Sequence, residues 1–89
     1  MPRITITLVN KVGLHARPAG AMVRVAKQFQ SDVKVLYKDK EANAKSILSI
    51  LSLGAEGGAE IVIDATGEDA ERALQILRTL IEGRFGEAE

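Results

Sequence analysis

Apolar residues change their spacing several times along this chain, and each change marks an element. From Arg3 to Val9 they alternate, with Ile4, Ile6 and Leu8 on one face and Arg3, Thr5 and Thr7 on the other. That period, with β-branched residues at most places, predicts a half-buried strand. After a loop over 10–13 the period becomes helical. Ala19, Met22, Val23, Ala26 and Phe29 form one stripe of a helix from about Ala16 to Gln28, and Pro18 fits its first turn. Val33, Val35 and Tyr37 alternate again, and a turn near Lys38-Asp39-Lys40 leads into a short polar strand suited to a sheet edge. "KSILSILSLG" is a short helix, with Ser46 as N-cap and Gly54 as its stop. "GAEGG" is expected as a flexible link. In "AEIVIDAT" Ile61, Ile63 and Ala65 share a face, which predicts a fourth strand broken by Gly67. From about Asp69 to Arg84 the stripe of Ala70, Ala73, Leu74, Leu77, Leu80 and Ile81 predicts the longest helix. "GRFGEAE" is then an acidic, fraying tail, with Phe85 as the residue able to tie it down.

The order β-α-β-β-α-β-α, with one apolar face per strand and amphipathic helices, predicts an α+β fold. It is an open-faced two-layer sandwich over residues 1–89, with a four-stranded, mostly antiparallel sheet and three helices on one face. Its β-α-β-β-α-β core has the split-βαβ, ferredoxin-like pattern, an architecture that serves many functions.

Composition narrows the picture. The 89 residues carry 12 Lys+Arg against 12 Asp+Glu, a formal net charge of zero, which argues against bulk nucleic-acid binding. Any electrostatic partner must meet a local patch. There is no cysteine, so disulfides, zinc–cysteine sites and thiol redox chemistry are excluded. No apolar run approaches membrane-spanning length, and a soluble cytoplasmic protein is expected.

The candidate chemistry lies in "NKVGLHARPAG", which holds the single histidine, His15. A helix starting at Ala16 or Arg17 leaves about four backbone N–H groups without partners at the positive end of its dipole. Such an end attracts anions, phosphate above all. His15 would stand at its mouth, and Arg17 adds a planar set of donors that suits phosphate oxygens. Neutral imidazole is a nucleophile that can carry a phosphoryl group on a ring nitrogen. A solvated or capping histidine is the bland alternative. At ~100° per residue, Arg24 falls almost below Arg17, with Lys27 on the same side and the apolar stripe opposite. This basic face is either simply solvated or a docking surface for an acidic partner. The short helix is overfull of apolar residues. Ile50 and Leu53 point one way, Ile47, Leu48 and Leu51 widen the arc, and only Ser49 and Ser52 remain polar. Part of the arc should be exposed as an interaction patch, unless loops or a neighbouring helix cover it.

On "GLHARPA", "KSILSILSLG" and "GAEIVIDATGEDAERAL", and on the order of elements between them, the sequence resembles the HPr family, histidine-containing phosphocarriers of the bacterial sugar phosphotransferase system. The resemblance covers nearly the whole chain. It implies that His15 accepts a phosphoryl group on Nδ1 from phospho-enzyme I and donates it to IIA domains of sugar permeases. Arg17 would orient and stabilise the phosphorylated ring, with Ala16 and Pro18 in the phosphate-stabilising turn. Arg24, Lys27, Ile47, Leu48 and Leu51 would dock both partners. Ser46 matches a regulatory serine, which implies HPr kinase/phosphorylase and a catabolite-control transcription factor as further partners. No metal, cofactor, nucleic acid or membrane is implied, and a monomer is expected. Gly20 replaces a threonine or serine common in the family, Val12 a smaller or more polar residue, and Leu48 and Leu51 replace methionines. The leucines keep the apolar surface but lose some of methionine's adaptability. Two other readings compete: a regulatory or nitrogen-branch paralogue that signals rather than feeds transport, and a ferredoxin-like interaction module without phosphoryl chemistry.

Overall fold

The structure, a computed structural model, describes residues 2–86. Strand β1 (Arg3–Thr7) is followed by helix α1 (Ala16–Ala26), strands β2 (Asp32–Tyr37) and β3 (Lys40–Asn43), helix α2 (Ile47–Leu51), strand β4 (Glu60–Thr66), helix α3 (Ala70–Glu82) and a 3₁₀ turn (Arg84–Gly86). The sheet order is β1-β4-β2-β3, and all three pairings are antiparallel. The sheet is therefore wholly antiparallel, where a mostly antiparallel one was expected. The split-βαβ pattern occurs twice. β1 and β2 run parallel with β4 between them, and β3 and β4 run parallel with β2 between them. The polar strand β3 lies at one edge, as its composition predicts.

Period-two alternation settles which face each strand buries. Ile6, Val33, Val35, Ala42, Ile61, Ile63 and Ala65 are buried under the helices, while Thr5, Thr7 and Lys34 face solvent from the open side. α1 closes the layer with Ala19, Met22, Val23 and Ala26, and α3 with Ala70, Ala73, Leu74, Leu77 and Ile81. Leu80, expected in that stripe, is only half-buried at its margin. Phe85 does tie down the end of α3. Arg84 and Phe85 both have left-handed backbone, φ 57° and 56°, which turns the ring onto the core, where it is buried. Left-handed backbone costs about 1–2 kcal/mol per non-glycine residue, and burying a phenylalanine contributes roughly 1.5–3 kcal/mol, so the anchor offsets much of its own strain. The remainder of the expected acidic tail, 87–89, lies outside the described residues.

Both loops that begin a major helix are held by distant partners. The turn before β2 is fixed by Asp69, at the N-cap of α3. Its carboxylate makes no capping bond to its own helix and instead accepts from the Gln30 N–H (2.9 Å), the Ser31 N–H (3.0 Å) and the Ser31 hydroxyl. The Ser31 hydroxyl first, then the Gln30 amide, hold this carboxyl below its ordinary range. The loop before α1 is held by the residues that precede β4, and this second clamp builds the candidate site.

Candidate functional site

His15 is the N-cap of α1. Its backbone is extended, φ −78° and ψ −174°, and its carbonyl accepts the Ala19 N–H at 2.8 Å, while its side chain makes no capping bond. The ring is thus free of structural duty and 59% exposed. The four donors expected at this helix end are reduced. Pro18 has no N–H, and the Ala19 N–H is already satisfied, which leaves Ala16 and Arg17 to offer the free first-turn N–H groups. Pro18, expected among the phosphate-stabilising residues, is buried and can donate nothing. It packs the turn and fixes its backbone.

Arg17, Arg24 and Lys27 all lie exposed on the solvent side of α1, and none has a carboxylate within 4.0 Å among the described residues. The Arg24 guanidinium folds back one turn toward the helix start. Its Nη1 stands 3.6 Å from where a side chain on Gly20 would begin. A methyl at Gly20 would make no more than ordinary van der Waals contact with this returning side chain. Lys45, nearby in sequence to α2, is engaged instead, donating to the Phe29 carbonyl at 2.9 Å.

α2 packs beside α1 and presents the apolar patch. Its short wheel divides as the spacing predicts. Ile50 and Leu53 are buried, Leu51 is half-buried, and Ile47 and Leu48 are 44% and 80% exposed. Leu48 is thus the most solvent-exposed large hydrophobic residue of the described chain. Ser46 caps this helix, its hydroxyl accepting the Ser49 N–H at 3.3 Å, and is half-buried.

The segment after α2, expected to be a flexible link, is the support of the site. The Leu14 N–H donates to the Ala55 carbonyl at 3.0 Å, the Gly58 N–H to the Leu8 carbonyl at 2.8 Å, and the Leu8 N–H to the Ala59 carbonyl at 2.8 Å. Backbones meet so closely that no side chain fits between them. A Cβ on Gly13 would stand 2.4 Å from the Ala55 oxygen, and one on Gly57 would stand 2.3 Å from the Lys11 oxygen. Buried Asn10 locks the loop from inside, donating from Nδ2 to the Gly13 carbonyl at 2.8 Å. This clamp brings Glu56 to His15, with Oε1 3.9 Å from Nε2. Glu56, Asn10, Gly13 and Gly57 had not been singled out from sequence. The paired glycines of "GAEGG" carried the signal, since glycine inside a connecting segment marks close backbone approach as often as flexibility.

The arrangement is an exposed imidazole at the mouth of a helix N-terminus, with a cationic stripe below it and an exposed apolar patch beside it. It lends itself to receiving an anionic group from a macromolecule. A family model described as "PTS HPr component phosphorylation site" matches residues 2–83. The phosphocarrier protein HPr of Neisseria meningitidis serogroup A is 39% identical over 89 residues, the whole of both chains. That of Xylella fastidiosa strain Temecula1 is 42% identical over 82 residues, 92% of each. The crystal structure of HPr-C-His from Thermoanaerobacter tengcongensis, 45% identical, superposes with a TM-score of 0.96 and full coverage of both chains.

Proposed function

Because this chain belongs to the HPr family of the phosphotransferase system, we propose that His15 is its phosphoryl carrier, charged by phospho-enzyme I and discharged to IIA domains of sugar permeases. The observation that carries the reading is the His15 ring itself, exposed at the start of α1 and used for no capping bond. In the charging step the Nδ1 lone pair attacks phosphorus, an N–P bond forms, and the donor's bond to phosphorus breaks with its electron pair returning to the donor. The free N–H groups of Ala16 and Arg17, the helix dipole and the Arg17 guanidinium stabilise the transferred oxygens. Nothing in this scheme requires a metal or organic cofactor.

Partners reach His15 over the surface formed by Arg24, Lys27, Ile47, Leu48 and Leu51. These cations, which meet no carboxylate among the described residues, steer an acidic surface, and Leu48 supplies apolar area at little cost to the fold because it is already outside the core. Leu51, half-buried, contributes at the margin. The carrier acts in this reading as a monomer, in the cytoplasm, where partners of this kind act. Ser46 phosphorylation would add charge beside Leu48 and Ile47, opposing acidic partners while remaining compatible with the helix cap. HPr kinase/phosphorylase would install it, and a catabolite-control transcription factor would read it.

The test is incubation with phosphoenolpyruvate and enzyme I. The expected product carries one acid-labile, base-stable phosphate, lost in His15→Ala. No label, or label that survives in His15→Ala, overturns the reading. Failure of a cognate kinase and ATP to modify Ser46 would remove the regulatory part alone.

A further inference from the structure

We propose that Glu56 is a positioning residue for His15: its carboxylate holds the proton on Nε2, which leaves Nδ1 as the bare nucleophilic nitrogen and balances the positive charge of the phosphorylated ring. The inference rests on the reading of His15 as the phosphoryl carrier.

A carboxylate is an unexpected neighbour for a phosphoryl acceptor. The charged residues nearest to His15 in sequence are Lys11 in the loop before it and Arg17 at the start of α1, both cations and both exposed. Glu56 is the one carboxylate within 4.0 Å of a His15 ring nitrogen among the described residues. Its side chain is 76% exposed, but its backbone is not free to drift. The Glu56 Cα and carbonyl carbon lie 2.6 Å and 2.4 Å from where a Gly13 Cβ would stand, and the Glu56 carbonyl accepts the Ala59 N–H at 3.0 Å. Gly13 is only two residues before His15. The clamp therefore fixes the distance between the two backbones, and the side chains meet through it. At 3.9 Å the pair is looser than a hydrogen bond, and contacts of this kind tighten when charge develops.

The chemistry explains the side of the ring on which the carboxylate stands. With hydrogen on Nε2, the Nδ1 lone pair is free to form the N–P bond. The product ring is substituted on both nitrogens and carries a positive charge, which the Glu56 carboxylate offsets. On donation the N–P bond breaks, its electron pair returns to Nδ1, and the ring leaves as neutral imidazole with the Nε2 proton still in place. No proton need move in either direction. If the Nε2 proton were lost, the leaving group would be imidazolate, a far poorer one.

Phospho-His15 protein is prepared with phosphoramidate, which phosphorylates imidazole without any partner enzyme, in the wild type, Glu56→Gln and Glu56→Ala. The pH at which the phosphorylated ring loses its proton is then read by ³¹P NMR. An exposed ion pair predicts a midpoint lower by about 0.2–0.7 pH unit in both variants. The gap should shrink between 0.05 M and 0.5 M salt, as screening requires. The alkaline limb of the pH–rate profile for phosphoryl donation should move down with it. Equal midpoints in wild type and Glu56→Gln overturn the proposal. Because the charging is chemical, that failure is distinct from failure of the carrier reading, which appears as absence of label from enzyme I.

Discussion

Replacing Gly13 by alanine tests the clamp on which the site depends. Two costs combine at this position. The backbone has φ +66°, where an alanine pays about 1–2 kcal/mol. The new Cβ would also lie 2.4 Å from the Ala55 oxygen and the Glu56 carbonyl carbon, both backbone atoms that cannot rotate away. Ordinary contact is about 3.5 Å, so the two loops must part by roughly 1 Å. That movement breaks the Leu14–Ala55 hydrogen bond, now 3.0 Å, at a net cost of about 0.5–1.5 kcal/mol. The sum is about 1.5–3.5 kcal/mol, a large share of the ~5–15 kcal/mol typical of a domain. In urea the midpoint should fall by about 0.5–3.5 M, and exchange of the Leu14 amide hydrogen should accelerate. Gly54→Ala is the matched control. Its φ is +67° and a Cβ there meets nothing within 4 Å, so it pays the backbone term alone. Should the two variants lose the same stability within about 0.5 kcal/mol, the close-approach argument is wrong.

Gly20→Ala should stabilise the protein by about 0.5–1 kcal/mol in the same unfolding assay, because a glycine inside α1 is replaced where the new methyl meets only the mobile end of Arg24, at 3.6 Å. Leu48→Ala should leave stability within about 0.5 kcal/mol, since the side chain is 80% exposed, yet weaken enzyme I binding measured by calorimetry. Asp69→Asn should remove an acid-sensitive part of stability. Hydrogen bonds from the Ser31 hydroxyl and the Gln30 amide hold the folded carboxyl below the ordinary aspartate range, so its contribution is complete above that range and is lost as pH falls through the lower, folded value. The stability gap between wild type and Asp69→Asn should accordingly close as the pH is lowered through that range.

The local elements of this protein are written in its sequence. The alternation in β1, the stripe of α3 and the N-cap at Ser46 each depend on residues within a few positions of one another, and burial follows directly from them. The overfull wheel of α2 was equally legible, because a helix on a sheet cannot bury Ile47, Leu48, Ile50, Leu51 and Leu53 together. The single histidine before "ARP" marked the candidate site for the same local reason: its place at a helix start. Only the tertiary structure decided what holds that histidine. Gly13 and Ala55, or Ser31 and Asp69, are about forty residues apart, and no local period encodes which backbones come into contact across such a distance. "GAEGG" has the composition of a loose link, but the antiparallel pairing of β1 with β4 forces the segments flanking those strands together. The glycines then serve close approach, and Glu56 is delivered to His15 by the topology of the sheet.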